Sequence, residues 1–199
     1  MTPLSLPDGV ELRPGKKLRI LDFDTECRPM SYNEYRPESQ ITAIAWSWIG
    51  RKTIHSEVLE QDLSNERSML ERFLADFNAA DVVTGHYLRK HDLPLLTDHC
   101  MRLGLPLPKP VQVSDTMLDT PHVKGLGKSQ ENLSETFGVT AEKHHMNGAK
   151  WRVANQLDAK GRAETRKRVV DDVRQNKEWR EVCVANGWLA VPKRWTPHR

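Results

Sequence analysis

Three carboxylates stand at alternate positions near the end of a largely apolar segment: Asp22, Asp24 and Glu26. Successive side chains of a β-strand point to opposite faces of its sheet, so these acids are expected on one face. Carboxylates held so close repel one another unless a cation lies among them, and hard oxygen ligands suit a hydrated divalent cation. The alternative is a strand that ends in a solvated acidic turn, and the rest of the chain decides between the two.

A fourth acid, Asp92, stands at the predicted start of a helix. At about 100° per residue, Asp92, Leu96, His99 and Leu103 share one side of that helix. An aspartate there can also cap the helix or interact favourably with its dipole. Taken alone, this segment therefore fits a ligand and a cap equally well.

A fifth candidate lies in the last predicted helix. On a helical wheel Asp172 falls inside the apolar arc that contains Val169, Val173 and Cys183, whereas Asp171 falls on the polar side. Burying a bare carboxylate is very costly, so an inward-facing one requires a partner or a metal. Asp172 is therefore the functional candidate of this helix, and Asp171 is expected to be solvated.

These acids belong to a predicted α/β chain. Hydrophobic periodicity and turn residues predict strands near 18–25, 41–48, 52–58, 81–85 and 111–114 and helices over 65–79, 91–103, 129–137 and 163–186. A loop-like region is expected around 141–162. The order indicates a mixed sheet with helices packed against it.

Composition narrows the class of protein. The 199 residues suit one domain, and their three cysteines lack a metal-binding spacing, which fits a reducing cytoplasm, or a host cytoplasm for a phage protein. Neither a membrane span nor a secretory signal is evident.

From residue 160 onward, 11 Lys and Arg stand against 5 Asp and Glu. A basic C-terminal quarter beside acidic residues suggests a bound polyanion, although a solvated helix surface gives the same pattern.

Three sequence blocks resemble the DEDD (DnaQ-like) 3′–5′ exonucleases of the ribonuclease H-like superfold. Leu21–Pro29 resembles the family's D-x-E block, Gly85–Pro94 is similar to its G-H-N-x-x-x-F-D-x-P block, and Val170–Val173 resembles the third block, in which an aspartate precedes a valine. The blocks occur in the family's order and span most of the chain. The acids that the resemblance selects as catalytic and metal-binding are Asp24, Glu26, Asp92 and Asp172.

The resemblance implies a fold and an activity. The fold would be α/β and ribonuclease H-like, with a mixed central sheet flanked by helices. Two Mg²⁺ or Mn²⁺ ions per active site would support removal of nucleoside 5′-monophosphates from single-stranded or frayed 3′ ends, with DNA favoured over RNA. The resemblance also suggests a stand-alone enzyme of phage or bacterial type. Its candidate partner would be a polymerase or another replication protein. The residues expected to contact nucleic acid are Tyr87, Arg89, Lys90 and Arg168.

The chain also departs from the family pattern. Tyr87 replaces the usual asparagine of the second block. The family places its general base, a tyrosine or a histidine, four or five residues before the last aspartate, where this chain has Arg168 and Lys167. Neither cation can accept a proton at neutral pH. Either His144 or His145 substitutes, or the metal alone activates the water, or the enzyme is slow or inactive.

Two alternative functions and a domain plan complete the predictions. The first alternative is a catalytically weak or inactive nucleic-acid-binding protein on the same fold. The second, prompted by the dipeptide His91-Asp92, is a different metal-dependent phosphohydrolase. The domain plan assigns 1–16 to an N-terminal arm, 17–187 to the nuclease-like domain and 188–199 to a C-terminal tail.

Overall fold

A computed structural model describes residues 17–29 and 39–198, and within them the chain forms six strands and five helices. The strands make one sheet in the order β3-β2-β1-β4-β5-β6. They are β1 (Ile20–Pro29), β2 (Ser39–Trp48), β3 (His55–Val58), β4 (Val82–Gly85), β5 (Val111–Asp115) and β6 (Lys193–Trp195). The helices are α1 (Glu66–Phe77), α2 (Asp92–Arg102), α3 (Gln130–Thr136), α4 (Gly148–Ala154) and α5 (Ala159–Ala185).

The sheet is mixed. Strands β1, β2 and β3 are antiparallel neighbours, whereas β4 runs parallel to β1 and β5 parallel to β4. The edge strand β6 is antiparallel to β5. In this register Asp22 of β1 lies between Ser47 of β2 and Thr84 of β4. The α/β class and the mixed sheet expected from the sequence are confirmed.

One face of the sheet carries the main hydrophobic core. Leu21 and Phe23 of β1 point to this face and pack against Phe73 and Phe77 of α1 and Leu96 of α2. These side chains are buried, and the aromatic rings of Phe23 and Phe73 have centroids 5.0 Å apart. Burial of this apolar area is the main source of folding free energy.

Helix α5 crosses the opposite face. Its Val169 and Val173 pack against Ala43 and Ala45 of β2, small residues that leave room for a helix close to the sheet. The helix begins at Asp158, whose side chain caps it by accepting a hydrogen bond from the Gly161 backbone N–H at 2.7 Å. The 27-residue helix thus has a fixed start and a fixed face toward the sheet.

Two segments differ from the sequence prediction. The loop-like region around 141–162 contains helix α4, which Asn147 caps by accepting a hydrogen bond from the Lys150 backbone N–H at 2.9 Å. The predicted C-terminal tail contributes strand β6, with Trp195 packed against the core. The predicted arm 1–16 lies outside the described residues. No helix in the described ranges is long and apolar enough to cross a membrane.

Candidate metal centre and active site

The side of α5 that faces the sheet carries polar residues beside its valines, and these polar residues run along the acidic side of β1. Residues four apart on a helix are about 6 Å apart along its axis, close to the rise of about 6.6 Å between alternate strand residues. Arg168, Asp172 and Asn176 therefore come opposite successive acids of β1. Arg168 Nε lies 3.3 Å from Glu26 Oε1, and Asn176 Nδ2 donates a hydrogen bond of 2.7 Å to Asp22 Oδ2.

Three carboxylates meet between these two contacts. Among the described residues, Asp24, Glu26 and Asp172 each place one carboxylate oxygen within 4.8 Å of the others. Carboxylate oxygens around one hard cation bind at about 2.0–2.6 Å, so oxygens this close can share such an ion. Asp172 faces inward, as the helical wheel predicted. This oxygen-only donor set fits Mg²⁺ or Mn²⁺.

Asp171, the neighbour of Asp172, is more buried than the sequence predicted. Asp171 was expected to be solvated, but it is 7% exposed and its carboxylate pairs with Arg174 one turn along the helix. The prediction of a solvated Asp171 is therefore wrong. The helical wheel placed the residue correctly on the polar side, but a neighbouring guanidinium covers it there.

Asp92 stands next to the three acids at the first turn of α2. It is 1% exposed, and its Oδ1 accepts hydrogen bonds from the Thr25 backbone N–H at 3.0 Å and the Thr25 hydroxyl at 2.6 Å. A side chain at Gly85 would bring its Cβ to 2.5 Å from the Phe23 carbonyl oxygen, so glycine lets the end of β4 approach β1 here. The carboxylate of Asp92 is near enough to help raise the pKa of Asp24.

The electrostatics of the cluster favour a cation. Burial, and next the charge of Asp172, raise the pKa of Glu26 to about 8. Burial and the neighbouring carboxylates of Asp172, Asp92 and Glu26 hold the pKa of Asp24 well above its usual range. Burial likewise raises the pKa of Asp92 to about 6. Each shift measures how unfavourable the ionised carboxylates are without a positive partner.

Two cationic side chains supply part of that charge. Lys143 Nζ lies 3.3 Å from Asp172 Oδ1 and donates a hydrogen bond to Gln130 Oε1, also at 3.3 Å. Arg168 Nε lies 3.0 Å from Asp172 Oδ2, while its Nη1 donates a hydrogen bond of 2.8 Å to the His144 carbonyl oxygen. The sequence reasoning missed Lys143, because nothing in a loop-like segment indicates which basic residue turns inward.

The two histidines proposed as general bases lie beside the cluster. His144 Nε2 is 2.6 Å from Glu164 Oε2, so this nitrogen is engaged away from the carboxylates. The side chain of His145 is 76% exposed, and its Nδ1 is 3.7 Å from Glu131 Oε1. Among the described residues, neither ring makes a hydrogen bond or an ion pair with Asp24, Glu26 or Asp172. Their role as a base stays a prediction.

The loop after β4 carries three of the residues expected to contact nucleic acid. Arg89 makes two hydrogen bonds of 2.7 Å to the Asp119 carboxylate, whereas Lys90 is exposed. Tyr87 has a φ of 69°, and its backbone N–H donates a hydrogen bond to Asp115 Oδ1 at 3.0 Å. Non-glycine residues rarely adopt this left-handed conformation, and asparagine tolerates it better than tyrosine. The Tyr87 side chain is 40% exposed at the surface of this loop.

Asp22, the additional acid of β1, lies deeper than the cluster. It is fully buried, and desolvation raises its pKa to about 8, against the favourable hydrogen bond from Asn176. Its Oδ1 and the hydroxyl of Thr84, its register partner on β4, have no hydrogen-bond partner in the described structure. Asp22 therefore belongs to the buried polar layer beneath the three acids.

Comparisons with known proteins give one result on fold. No protein-family model and no curated protein sequence matches the chain. Among solved structures, the chain is similar to the family B DNA polymerase from the hyperthermophilic archaeon Pyrobaculum calidifontis, with a TM-score of 0.65 and 20% sequence identity. The match covers 85% of this chain and 25% of the polymerase chain, so the present chain is comparable with a quarter of that protein. The similarity and the mixed sheet flanked by helices identify the fold as ribonuclease H-like.

Proposed function

We propose that this protein is a divalent-cation-dependent 3′–5′ exonuclease of the DEDD kind. The observation that carries the proposal is the meeting of Asp24, Glu26 and Asp172 within 4.8 Å, from a strand and a helix far apart in sequence. A protein that only binds polyanions gains nothing from buried carboxylates, which repel phosphate. Buried carboxylates are useful in a nuclease, because they can bind the cations that promote hydrolysis of a phosphodiester.

DNA is the polymer that we propose as substrate. A DNA polymerase acts on DNA, and the similarity to such an enzyme supports a role on the same polymer. The resemblance of the three sequence blocks to the DEDD family supports attack at 3′ ends and release of nucleoside 5′-monophosphates.

The acidic residues and the lysine of the site would have different roles in catalysis. Asp24, Glu26 and Asp172, with Asp92 beside them, would hold up to two Mg²⁺ or Mn²⁺ ions. When bound, such ions lower the pKa of a water and stabilise the leaving 3′ oxygen. Lys143, 12% exposed at its side chain, is placed to contact a phosphate oxygen beside the carboxylates.

A second candidate function has its own support. Arg168 stands where the family has its general base and pairs with two of the three acids. A protein that has lost its base but kept the fold would bind nucleic acid and cleave it slowly or not at all. We retain this weak or inactive binding protein as the alternative.

The test uses 5′-labelled DNA and RNA oligonucleotides, single-stranded, 3′-recessed or blunt, with Mg²⁺, Mn²⁺ or EDTA. We expect a metal-dependent ladder that shortens from the 3′ end of DNA and is absent with Asp24→Ala. Asp172→Ala and Asp171→Ala form a matched pair of neighbouring acids, of which only the first should abolish cleavage. Cleavage of circular single strands would contradict an end-directed enzyme, and salt-sensitive binding without cleavage would establish the alternative.

A further inference from the structure

Arg168 occupies the carboxylates that a cation requires. Its Nε lies 3.0 Å from Asp172 Oδ2 and 3.3 Å from Glu26 Oε1, and the His144 carbonyl oxygen accepts a hydrogen bond from its Nη1 at 2.8 Å. Its side chain is 17% exposed, so the guanidinium is largely enclosed but still reaches the surface. One guanidinium thus contacts two of the three acids that meet in the cluster.

A guanidinium and a divalent cation compete for these oxygens. Arginine stays charged at every pH that proteins experience, so Arg168 cannot make way by losing a proton. Two positive charges that share Glu26 and Asp172 repel each other strongly in a site shielded from water. Among the described residues, Asp24 has neither a hydrogen-bond nor an ion-pair partner, so it is the acid left for an incoming cation.

A substrate phosphate would be an alternative anionic partner for the Arg168 guanidinium. Guanidinium groups bind phosphate in a two-pronged geometry as readily as carboxylate, and the Arg168 side chain is 17% exposed. A terminal phosphodiester placed beside Asp24 would give the guanidinium a second anionic partner. The arginine would then release Glu26 Oε1 and Asp172 Oδ2 as ligands, while Lys143 stays beside Asp172 Oδ1.

We propose that Arg168 keeps the cation site closed until a nucleic acid end arrives, and that it exchanges Glu26 and Asp172 for a substrate phosphate. Cation and nucleic acid then bind with positive coupling, and each raises the affinity for the other by the same factor. This inference rests on the proposed function, because it assumes that the substrate carries a phosphodiester at this site. In this scheme Arg168 contacts a substrate phosphate and acts on the cation site through the two carboxylates that it releases.

The experiment measures Mn²⁺ binding by titration calorimetry and by the loss of the free-ion electron paramagnetic resonance signal. Each titration is run with and without a single-stranded DNA oligonucleotide whose 3′-terminal linkages are cleavage-resistant phosphorothioates. The proteins are the wild type, Arg168→Met, which keeps an unbranched apolar stem and removes the charge, and Arg166→Met, at an exposed arginine of the same helix. Arg168→Gln repeats the test should the methionine variant fold poorly, as judged by circular dichroism.

We expect the oligonucleotide to raise the Mn²⁺ affinity of the wild type and of Arg166→Met by at least tenfold. Arg168→Met should bind Mn²⁺ at least tenfold more tightly than the wild type without DNA, and the oligonucleotide should then change its affinity by less than threefold. Equal Mn²⁺ affinities of wild type and Arg168→Met without DNA, or an unchanged effect of DNA in the variant, would overturn the inference.

The same measurements separate this inference from the proposed function. Binding is read without hydrolysis, so intact coupling in a protein that cleaves no oligonucleotide keeps the inference and overturns the exonuclease. Cleavage without coupling overturns the inference alone. Absence of Mn²⁺ binding in every variant, with and without DNA, overturns both.

Discussion

The two faces of the central sheet are built from the same strands and have opposite characters. On one face Leu21 and Phe23 of β1 join the rings of Phe73 and Phe77 in a buried apolar core. On the other face the residues between and after them are Asp22, Asp24 and Glu26, opposed by polar residues on the sheet-facing side of α5. Strand alternation sends neighbouring residues of one segment into both environments.

The contrast between the two faces separates the residues that stabilise the fold from those proposed to carry the chemistry. Apolar burial on the α1 and α2 face contributes free energy of folding, whereas the buried acids on the α5 face cost free energy until a positive partner compensates them. Val169 and Val173 fix α5 on the sheet, so the costly side chains are held in place by their apolar neighbours. A fold with one strongly stabilising face can tolerate an unfavourable cluster on the other.

The prediction with the largest expected effect compares the stability contributions of the apolar face and the acidic face. Phe73→Ala should lower the free energy of unfolding by about 3–5 kcal/mol, because it removes a fully buried ring from the aromatic core. Asp24→Asn should leave that free energy unchanged or raise it, because it removes one of several mutually repelling carboxylates. Urea denaturation of both variants without divalent ions measures the contrast.

Met101→Ala is the control for the core substitution, because Met101 is 69% exposed on α2 and its truncation leaves no cavity. If Asp24→Asn destabilised the protein as much as Phe73→Ala, the acidic face would contribute to stability, and the contrast between the faces would be wrong.

The second prediction concerns the basic residue on the acidic face. Lys143→Ala should slow 3′-end cleavage by about 10- to 100-fold, because a charge-assisted contact is worth about 1.5–3 kcal/mol. Lys109→Ala, at an exposed position before β5, should cleave like the wild type. Rates from single-turnover cleavage of the labelled oligonucleotide provide the comparison, and equal rates for both variants would remove Lys143 from the site.

The sequence predicted the parts of the site that follow from regular periodicity. Alternation in β1 placed Asp24 and Glu26 on one face, and the helical wheel of α5 turned Asp172 toward the sheet. Both are properties of a single element, and the residues that the element contains determine them. The structure brings these acids of β1 and α5 together, and their role as ligands stays a prediction.

Other parts depended on contacts between elements, which periodicity does not contain. Lys143 reaches Asp172 from the segment before α4, and that helix itself was expected to be loop. Asp171 is covered by Arg174, although its position on the polar side of the wheel was correct. A wheel gives the direction of a side chain, but the neighbours that cover it depend on the tertiary structure.

The third prediction examines the deepest acid of the polar face. Asp22→Asn should raise the free energy of unfolding by about 1–3 kcal/mol, because burial raises the pKa of Asp22 to about 8. At neutral pH the folded protein must therefore take up a proton at Asp22, whereas asparagine has a similar volume and is neutral in both states. Urea denaturation at neutral pH measures the gain. A matched substitution, Asp81→Asn at the partly exposed start of β4, should show no such gain. A loss of stability in Asp22→Asn would mean that its ionised form is needed by the fold.

The last prediction is a dependence of stability on pH that arises on the apolar side. His99 of α2 is fully buried, and its Nε2 accepts a hydrogen bond of 2.9 Å from the Ile41 backbone N–H. Burial lowers the pKa of His99 from 6.5 to about 4, against the opposing hydrogen bond to the Leu95 carbonyl, while the weaker effects of Arg102 and Asp98 lower and raise the pKa respectively. The folded protein therefore holds His99 neutral, with that nitrogen free to accept.

The sign of the effect follows from which state binds the proton. Between pH 6.5 and about 4 the unfolded chain protonates His99 and the folded protein does not, so stability falls as pH falls, by up to about 1.4 kcal/mol per pH unit. We expect the stability difference between wild type and His99→Gln to shrink over this range in urea titrations at successive pH values. Carboxylates elsewhere contribute equally to both proteins, so their titration cancels in the difference. A difference that stayed constant with pH would show that His99 carries its proton in the folded state as readily as in the unfolded chain.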